Sequence, residues 1–136
     1  MSEYDVEGVV RSVIVEAMGL APEKYTEDLS FSADLGLDSL DLLDVFFRIE
    51  CCVPLIITVE RCGRYLQGEV PDAEFCDENG VISRRGLERL HTVMPQLDPD
   101  IWAGRLTLHR MLDRLTVGNL VAMVEHMLGE GRPVHA

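Results

Sequence analysis

The sequence predicts an all-α helical bundle with three long helices and extra short helices between the second and the last. Apolar residues recur at helical spacing in three stretches, near residues 3–18, 39–52 and 116–128. The first stretch ends at Gly19, a residue typical of helix C-termini. The one β-prone stretch, residues 53–59, has no partner strand in the sequence. We therefore expect that stretch to form a loop wall of the core rather than a sheet.

The first helix is expected from about Glu3 to Met18, with one apolar face toward the core. That face comprises Val6, Val9, Val10, Val13, Ile14 and Ala17. A long loop from Leu20 to Asp38 then crosses the bundle. Its expected anchors are Tyr25, Leu29, Phe31 and Leu35.

The second helix, from about Ser39 to Cys52, places one serine in its first turn. Asp38 is a good N-cap residue, and Gly36 permits a tight turn before it. Unpaired backbone N–H groups and the positive end of the helix dipole favour a covalently attached phosphate at this point. Ser39 is therefore a candidate modification site; the alternative is that Asp38 and Ser39 merely cap the helix. The predicted apolar face contains Leu40, Leu43, Phe46, Phe47 and, beyond the helix, Val53.

Shorter helices are expected before the last long one. Their predicted positions are Ser83 to Met94, a short helix that begins at Asp98-Pro99, and a turn from Thr107 through Leu112. The last helix begins after Thr116 and runs to about Leu128. Gly129 and residues 131–133 mark a frayed tail.

The charge distribution excludes some partners and favours others. The net charge of the 136 residues is -12, and residues 1–60 alone carry 13 acids and 3 bases, a net of -10. Such a surface repels nucleic acid and anionic membranes and attracts basic docking surfaces. The alternative is a solvated acidic surface that serves solubility. The chain has no apolar run as long as a membrane span and no signal-like N-terminus, so we expect a soluble, cytoplasmic protein that is not membrane-spanning.

The four cysteines do not form a pair of metal-binding knuckles. Cys51 and Cys52 are adjacent and face different directions on a helix, and Cys62 and Cys76 are separate. A zinc site that adds His91 and His109 is an alternative. We expect no metal, and reduced, mostly buried thiols.

The stretch around Ser39 carries a resemblance to a known family. Residues 34–41 read Asp-Leu-Gly-Leu-Asp-Ser-Leu-Asp, which resembles the phosphopantetheine attachment motif of acyl carrier proteins. Residues 25–31 and 115–121 are similar to the end of the first loop and the start of the last helix in that family. The resemblance covers roughly 3–60 and 115–128. It implies one carrier domain over residues 1–136, with an acyl-carrier-protein-like core and a helical insertion of about 61–113.

The resemblance implies a non-catalytic carrier whose covalent 4'-phosphopantetheine arm is attached to Ser39. A phosphopantetheinyl transferase would install the arm from coenzyme A, and its thiol would carry acyl groups as thioesters. Asp38 would cap the helix and contact the transferase, and Leu40 would pack beside the arm. Leu37 and Leu42 would line the mouth of an acyl cavity.

The acidic residues of the second helix complete what the resemblance implies. Asp41, Asp44 and Glu50 match the acidic positions that dock basic surfaces of acyl-loading, ketosynthase or acyltransferase enzymes. The chain would act as a monomer in a specialised fatty acid, lipid or polyketide pathway. An aminoacyl or peptidyl carrier, or an unmodified carrier-like interaction protein, is the alternative.

Two further hypotheses concern a hydrolase role for Ser39 and a docking role for the arginines of the insertion. A serine hydrolase would place Ser39 in a Gly-x-Ser-x-Gly elbow, which the sequence lacks. Arg84, Arg85 and Arg89 in the insertion suggest a second docking surface, and ordinary exposed arginines are the alternative.

Overall fold

The computed structural model describes residues 5–131, leaving aside the side chains of Ser39 and Glu130. Its helices are α1 (Val6–Met18), α2 (Ser39–Glu50), α3 (Val59–Gln67), α4 (Asp72–Phe75), α5 (Arg84–Val93), α6 (Pro99–Trp102), α7 (Leu108–Met111) and α8 (Val117–Gly131), with 3-10 turns at Pro22–Lys24 and Leu112–Arg114. The described residues contain isolated β-bridges and no strand. The predicted all-α fold, with three long helices and short ones between α2 and α8, is confirmed.

The chain divides into two compact units. The first unit comprises the chain up to Thr58 and from Thr116 onward, and the second unit is Val59–Leu115. That the two form one carrier domain stays a prediction. None of the helices in the described range is long and apolar enough to cross a membrane.

In the first unit, α1 packs against both α2 and α8. Helix α1 begins at Val6, later than the predicted Glu3, because the Asp5 carboxylate caps it by accepting a hydrogen bond from the Gly8 N–H at 3.1 Å. Residues 1–4, including Glu3, lie outside the described residues. Gly19 ends α1 in the left-handed conformation, as predicted. Of the predicted loop anchors, Phe31 is fully buried and the other three are half-buried.

Helix α2 carries apolar residues on two faces. Its core side chains are Leu42, Val45, Phe46 and Ile49, followed by Val53 in the next loop. Of the residues that helical spacing grouped together, Phe46 and Val53 are buried, whereas Leu40, Leu43 and Phe47 are exposed. Spacing alone does not tell which apolar face of a helix meets its neighbour. The loop after α2 is the predicted core wall, with Val53, Leu55 and Ile57 buried in alternation.

The second unit has its own core. Its buried side chains are Cys62, Leu66, Phe75, Ile82, Leu87, Leu90, Met94, Leu97, Leu106 and Met111. Helices α5 and α6 follow the N-caps that were predicted for them, Ser83 and Asp98, and α7 follows Thr107, where a turn was predicted to start. Helix α3 was not predicted. Its buried Cys62 and Leu66, four residues apart, were the available signal.

Two contacts hold parts of the second unit in place. The Arg89 guanidinium donates to the carbonyl oxygens of Tyr65 and Leu66 at the end of α3, at 2.6 and 3.3 Å. The Arg114 guanidinium lies over the ring of Trp102, 4.5 Å from its centroid.

Candidate functional site

The loop that leads into α2 is closed by hydrogen bonds just before a glycine. The Ser30 hydroxyl accepts from the N–H groups of Ala33 and Asp34, and the Asp34 carboxylate accepts from the Ser30 N–H. Gly36 then adopts φ 67°, a left-handed conformation that favours glycine. The chain therefore enters α2 through a hydrogen-bonded turn.

Helix α2 begins at Ser39 with a capping box. The Asp38 carboxylate accepts from the Asp41 N–H at 2.9 Å, and the Asp41 carboxylate accepts from the Asp38 N–H at 3.1 Å. The bond from the Asp41 N–H is the main reason why the pKa of Asp38 lies below its ordinary value. Ser39 is the first residue of a 12-residue helix, at the positive end of its dipole.

An apolar stripe lies on the exposed face of α2, and we call it the α2 stripe: Leu40, Leu43 and Phe47. Their exposed fractions are 74%, 42% and 62%. The stripe has helical spacing, and the exposed carboxylates of Asp41 and Asp44 lie on the same helix. Leu40, predicted to lie beside a covalent arm, is therefore open to solvent. Leu42, predicted to line a cavity mouth, is buried.

All three predicted docking acids have partners within the chain, and that of Asp41 is the Asp38 N–H of the capping box. The Asp44 carboxylate accepts from the Arg48 Nε at 2.9 Å, and both side chains are about half exposed. The Glu50 carboxylate accepts from the Ile57 N–H at 2.6 Å, which holds the loop after α2 against the end of that helix. Sequence reasoning missed this second role of Glu50, because a bond across seven residues leaves no periodic signal.

The cysteines differ in exposure. Cys51 and Cys52 are exposed at the end of α2, Cys76 is half-buried and Cys62 is buried. Burial raises the pKa of the Cys62 thiol to about 12. The prediction of mostly buried thiols is thus wrong for the adjacent pair, because both residues follow the end of α2 at exposed positions. Among the described residues, no group of three or more His, Cys, Asp or Glu side chains is placed to hold a metal.

The three arginines suggested as a second docking surface all have partners inside the second unit. Arg84 pairs with Asp100 and Glu88, and Arg85 pairs with Glu74. Arg89 caps α3, as described above. Most of their charge is therefore balanced locally, although Arg84 and Arg85 remain solvent-exposed.

The second unit also has an open groove of about 300 Å³ along α3. Leu108 and Met111 supply its apolar wall, and the Glu60–Arg64 ion pair lies at its edge. No residue that we predicted for a site lines this groove.

Comparisons with known proteins cover the part of the chain that contains this site. Residues 8–62 match the family described as "Phosphopantetheine attachment site". The acyl carrier protein of Akkermansia muciniphila is 42% identical over 50 residues. That stretch is 37% of this chain and 62% of the relative, so the chain matches less than two thirds of the relative's length. No solved structure matches the chain. The family match spans the turn, the capping box and all of α2.

Proposed function

We propose that this chain belongs to the phosphopantetheine-binding family of acyl carrier proteins, which it matches in part, and carries acyl groups on an arm attached to Ser39. The cofactor of this family is covalent 4'-phosphopantetheine. Its terminal thiol carries acyl groups as thioesters. The chain itself is non-catalytic in this proposal: its residues position the attachment point and present it to enzymes.

The observation that carries the proposal is the Asp38–Asp41 capping box at the start of α2. It fixes the backbone on both sides of Ser39, with bonds of 2.9 and 3.1 Å. The phosphate of the arm would then lie at the positive end of a 12-residue helix, which favours a negative charge. Asp38 and Leu40, the two neighbours of Ser39, are both exposed, so a transferase has access from either side.

The exposed face of α2 is the proposed docking surface. Asp41 and Asp44 supply negative charge, and the α2 stripe supplies apolar contact area. A partner with a basic rim around an apolar groove complements both features. Glu50 stays a predicted docking residue with an additional structural bond. The proposed partners are a phosphopantetheinyl transferase and acyl-loading, ketosynthase or acyltransferase enzymes. In this proposal the chain is a monomer, and it meets these enzymes in the cytoplasm.

The pathway is the finer part of the proposal. The acidic first 60 residues and the Asp-Leu-Gly-Leu-Asp-Ser-Leu-Asp motif favour acyl cargo of a fatty acid, lipid or polyketide pathway over aminoacyl cargo. The carrier core is proposed as about 3–60 and 115–128, and the insertion of about 61–113 favours a specialised pathway. Mass spectrometry of the protein purified from its own cell would identify the thioester.

Intact mass after incubation with a promiscuous phosphopantetheinyl transferase and coenzyme A tests the attachment. The wild type should gain the mass of one phosphopantetheine group, and Ser39→Ala should gain none. Ser32→Ala is the matched control, because Ser32 is an exposed serine in the preceding loop. An unchanged wild type would favour the unmodified interaction protein. An equal gain on Ser39→Ala would contradict the assignment of the site.

A further inference from the structure

We infer that Ser30 is a positioning residue for the modification of Ser39. It acts through the hydrogen bonds that it exchanges with Asp34, which we call the Ser30–Asp34 clasp. The inference rests on the proposed function, because Ser39 must be the residue that is modified. Ser30 is not a catalytic residue in this inference, since it acts only through the backbone that leads to Ser39.

The clasp is reciprocal. The Ser30 hydroxyl oxygen accepts from the N–H groups of Ala33 and Asp34 at 3.0 and 3.1 Å. The Asp34 carboxylate accepts from the Ser30 N–H at 2.8 Å. The Ser30 carbonyl also accepts from the N–H groups of Asp34 and Leu35, at 3.2 and 3.1 Å. Both ends of the turn are thus closed, in the same way that a capping box closes the start of a helix.

The chain beyond the clasp has little freedom before it reaches the capping box of α2. The Leu37 N–H donates to the carbonyl of Phe31 at 2.7 Å, and the Phe31 side chain is buried. Gly36 makes the left-handed turn between them. Asp38 follows directly, so a change at the clasp displaces the residue that caps α2.

The chain before the clasp is attached to the first turn of α8. The N–H groups of Val117 and Gly118 donate to the carbonyls of Leu29 and Glu27, each at 2.9 Å. Ser30 itself forms an antiparallel bridge with Thr116. Ser30 is therefore the residue at which the loop separates from the start of α8 and turns toward Ser39.

The start of α8 is itself well held. Thr116 and Asn119 cap it reciprocally, with N–H to side-chain oxygen distances of 3.0 and 3.2 Å, and Asn119 is buried. A Cβ at Gly118 would lie only 3.1 Å from the Cβ of Glu27, so the loop approaches α8 closely. The clasp thus connects the start of α8, which is firmly held, to the loop that carries the attachment point.

The reaction needs a well-placed hydroxyl. The Ser39 oxygen bonds to the coenzyme A phosphorus that bears pantetheine, the bond from that phosphorus to adenosine 3',5'-bisphosphate breaks, and the hydroxyl proton passes to a base of the transferase. Loosening the backbone before Ser39 lowers the fraction of encounters with reactive geometry. We expect a loss of about 10-fold in kcat/KM when the clasp is opened, since small misplacements cost rate steeply.

The test compares transferase kinetics, followed by intact mass, for Ser30→Ala, Ser30→Thr and Asp5→Ala. Ser30→Ala should lose about 10-fold in kcat/KM. Ser30→Thr should restore the rate, because it keeps the hydroxyl acceptor. Asp5→Ala is the matched control: it removes one side-chain bond to a backbone N–H in the same unit, far along the chain from Ser39. It should keep the wild-type rate at a temperature where circular dichroism shows each variant folded.

Asp34→Ala opens the same clasp from its other side and provides a second variant should Ser30→Ala not fold. It should slow the reaction as Ser30→Ala does, and the double variant should be no slower than either single one. A wild-type rate in the folded clasp variants, equal slowing by Asp5→Ala, or failure of Ser30→Thr to restore the rate would overturn the inference alone. A wild type that gains no mass would overturn the proposed function and this inference together.

Discussion

The Glu50 carboxylate has a structural bond to Ile57 and a proposed role in docking, and substitutions of Glu50 distinguish the two by stability and by partner affinity. Glu50→Ala leaves the Ile57 N–H without the acceptor that lies 2.6 Å away, and Ile57 is a buried residue. A hydrogen bond to a charged group contributes roughly 1.5–3 kcal/mol, and the partial exposure of Glu50 places the expected loss at about 2 kcal/mol. With an unfolding entropy of about 2.1 cal/mol/K per residue over 136 residues, this lowers Tm by about 7 °C.

The matched variant is Glu50→Gln, which removes the charge and keeps an oxygen acceptor. If the bond to Ile57 matters most, Glu50→Gln retains more than half of the stability that Glu50→Ala loses. Urea unfolding followed by circular dichroism measures both, and Glu125→Ala, an exposed acid on α8, should stay within about 0.5 kcal/mol of wild type. A Glu50→Ala variant as stable as wild type would refute the structural role. Equal loss of partner affinity in both Glu50 variants would support docking by charge.

Three other changes test separate parts of the structure. Phe47→Ala should leave the free energy of unfolding within about 0.5 kcal/mol, because the ring is exposed, and should weaken a docking partner about 10-fold in titration calorimetry; a large loss of stability would instead place the ring in the core. Gly68→Ala should destabilise the chain by about 1–2 kcal/mol in urea unfolding, because Gly68 has φ 63°. The loss should exceed that of Gly104→Ala, since a Cβ at Gly68 would also collide with Arg89, whereas one at Gly104 meets open space; equal losses would contradict this. At pH 8 a thiol reagent should label the adjacent pair at the end of α2 in the native protein and Cys62 only after denaturation, as counted by mass, because burial raises the pKa of Cys62 to about 12; labelling of native Cys62 would contradict its burial.

Local signals predicted much of the fold. Caps are short-range features, so Asp38, Ser83 and Asp98 were recognised from sequence and directly precede helices in the structure. Burial depends on contacts distant in the chain. Spacing therefore grouped Phe46, which is buried, with Leu40, Leu43 and Phe47, which are exposed.

The candidate site was predictable where a motif described it and less so elsewhere. The turn, the cap and the position of Ser39 at the start of α2 follow from consecutive residues. The bonds of Glu50 to Ile57 and of Asp44 to Arg48 depend on side-chain geometry, which spacing does not determine. Helix α3 was missed because the apolar run before it suggested extended chain, although Thr58, a residue type that caps helices, directly precedes its start.

The contact between Trp102 and Arg114 allows the intrinsic fluorescence of the protein to report on one of its two units. Trp102 is the only tryptophan of the chain and belongs to the second unit. The Arg114 guanidinium lies 4.5 Å from the ring centroid, and its departure on unfolding changes the intensity or wavelength of the Trp102 emission. That emission therefore follows the unfolding of the second unit alone. Far-ultraviolet circular dichroism, in contrast, reports the helices of both units, including α1, α2 and α8. Melting curves from the two signals that coincide would mean cooperative unfolding of both units, and separate curves would give each unit a midpoint of its own.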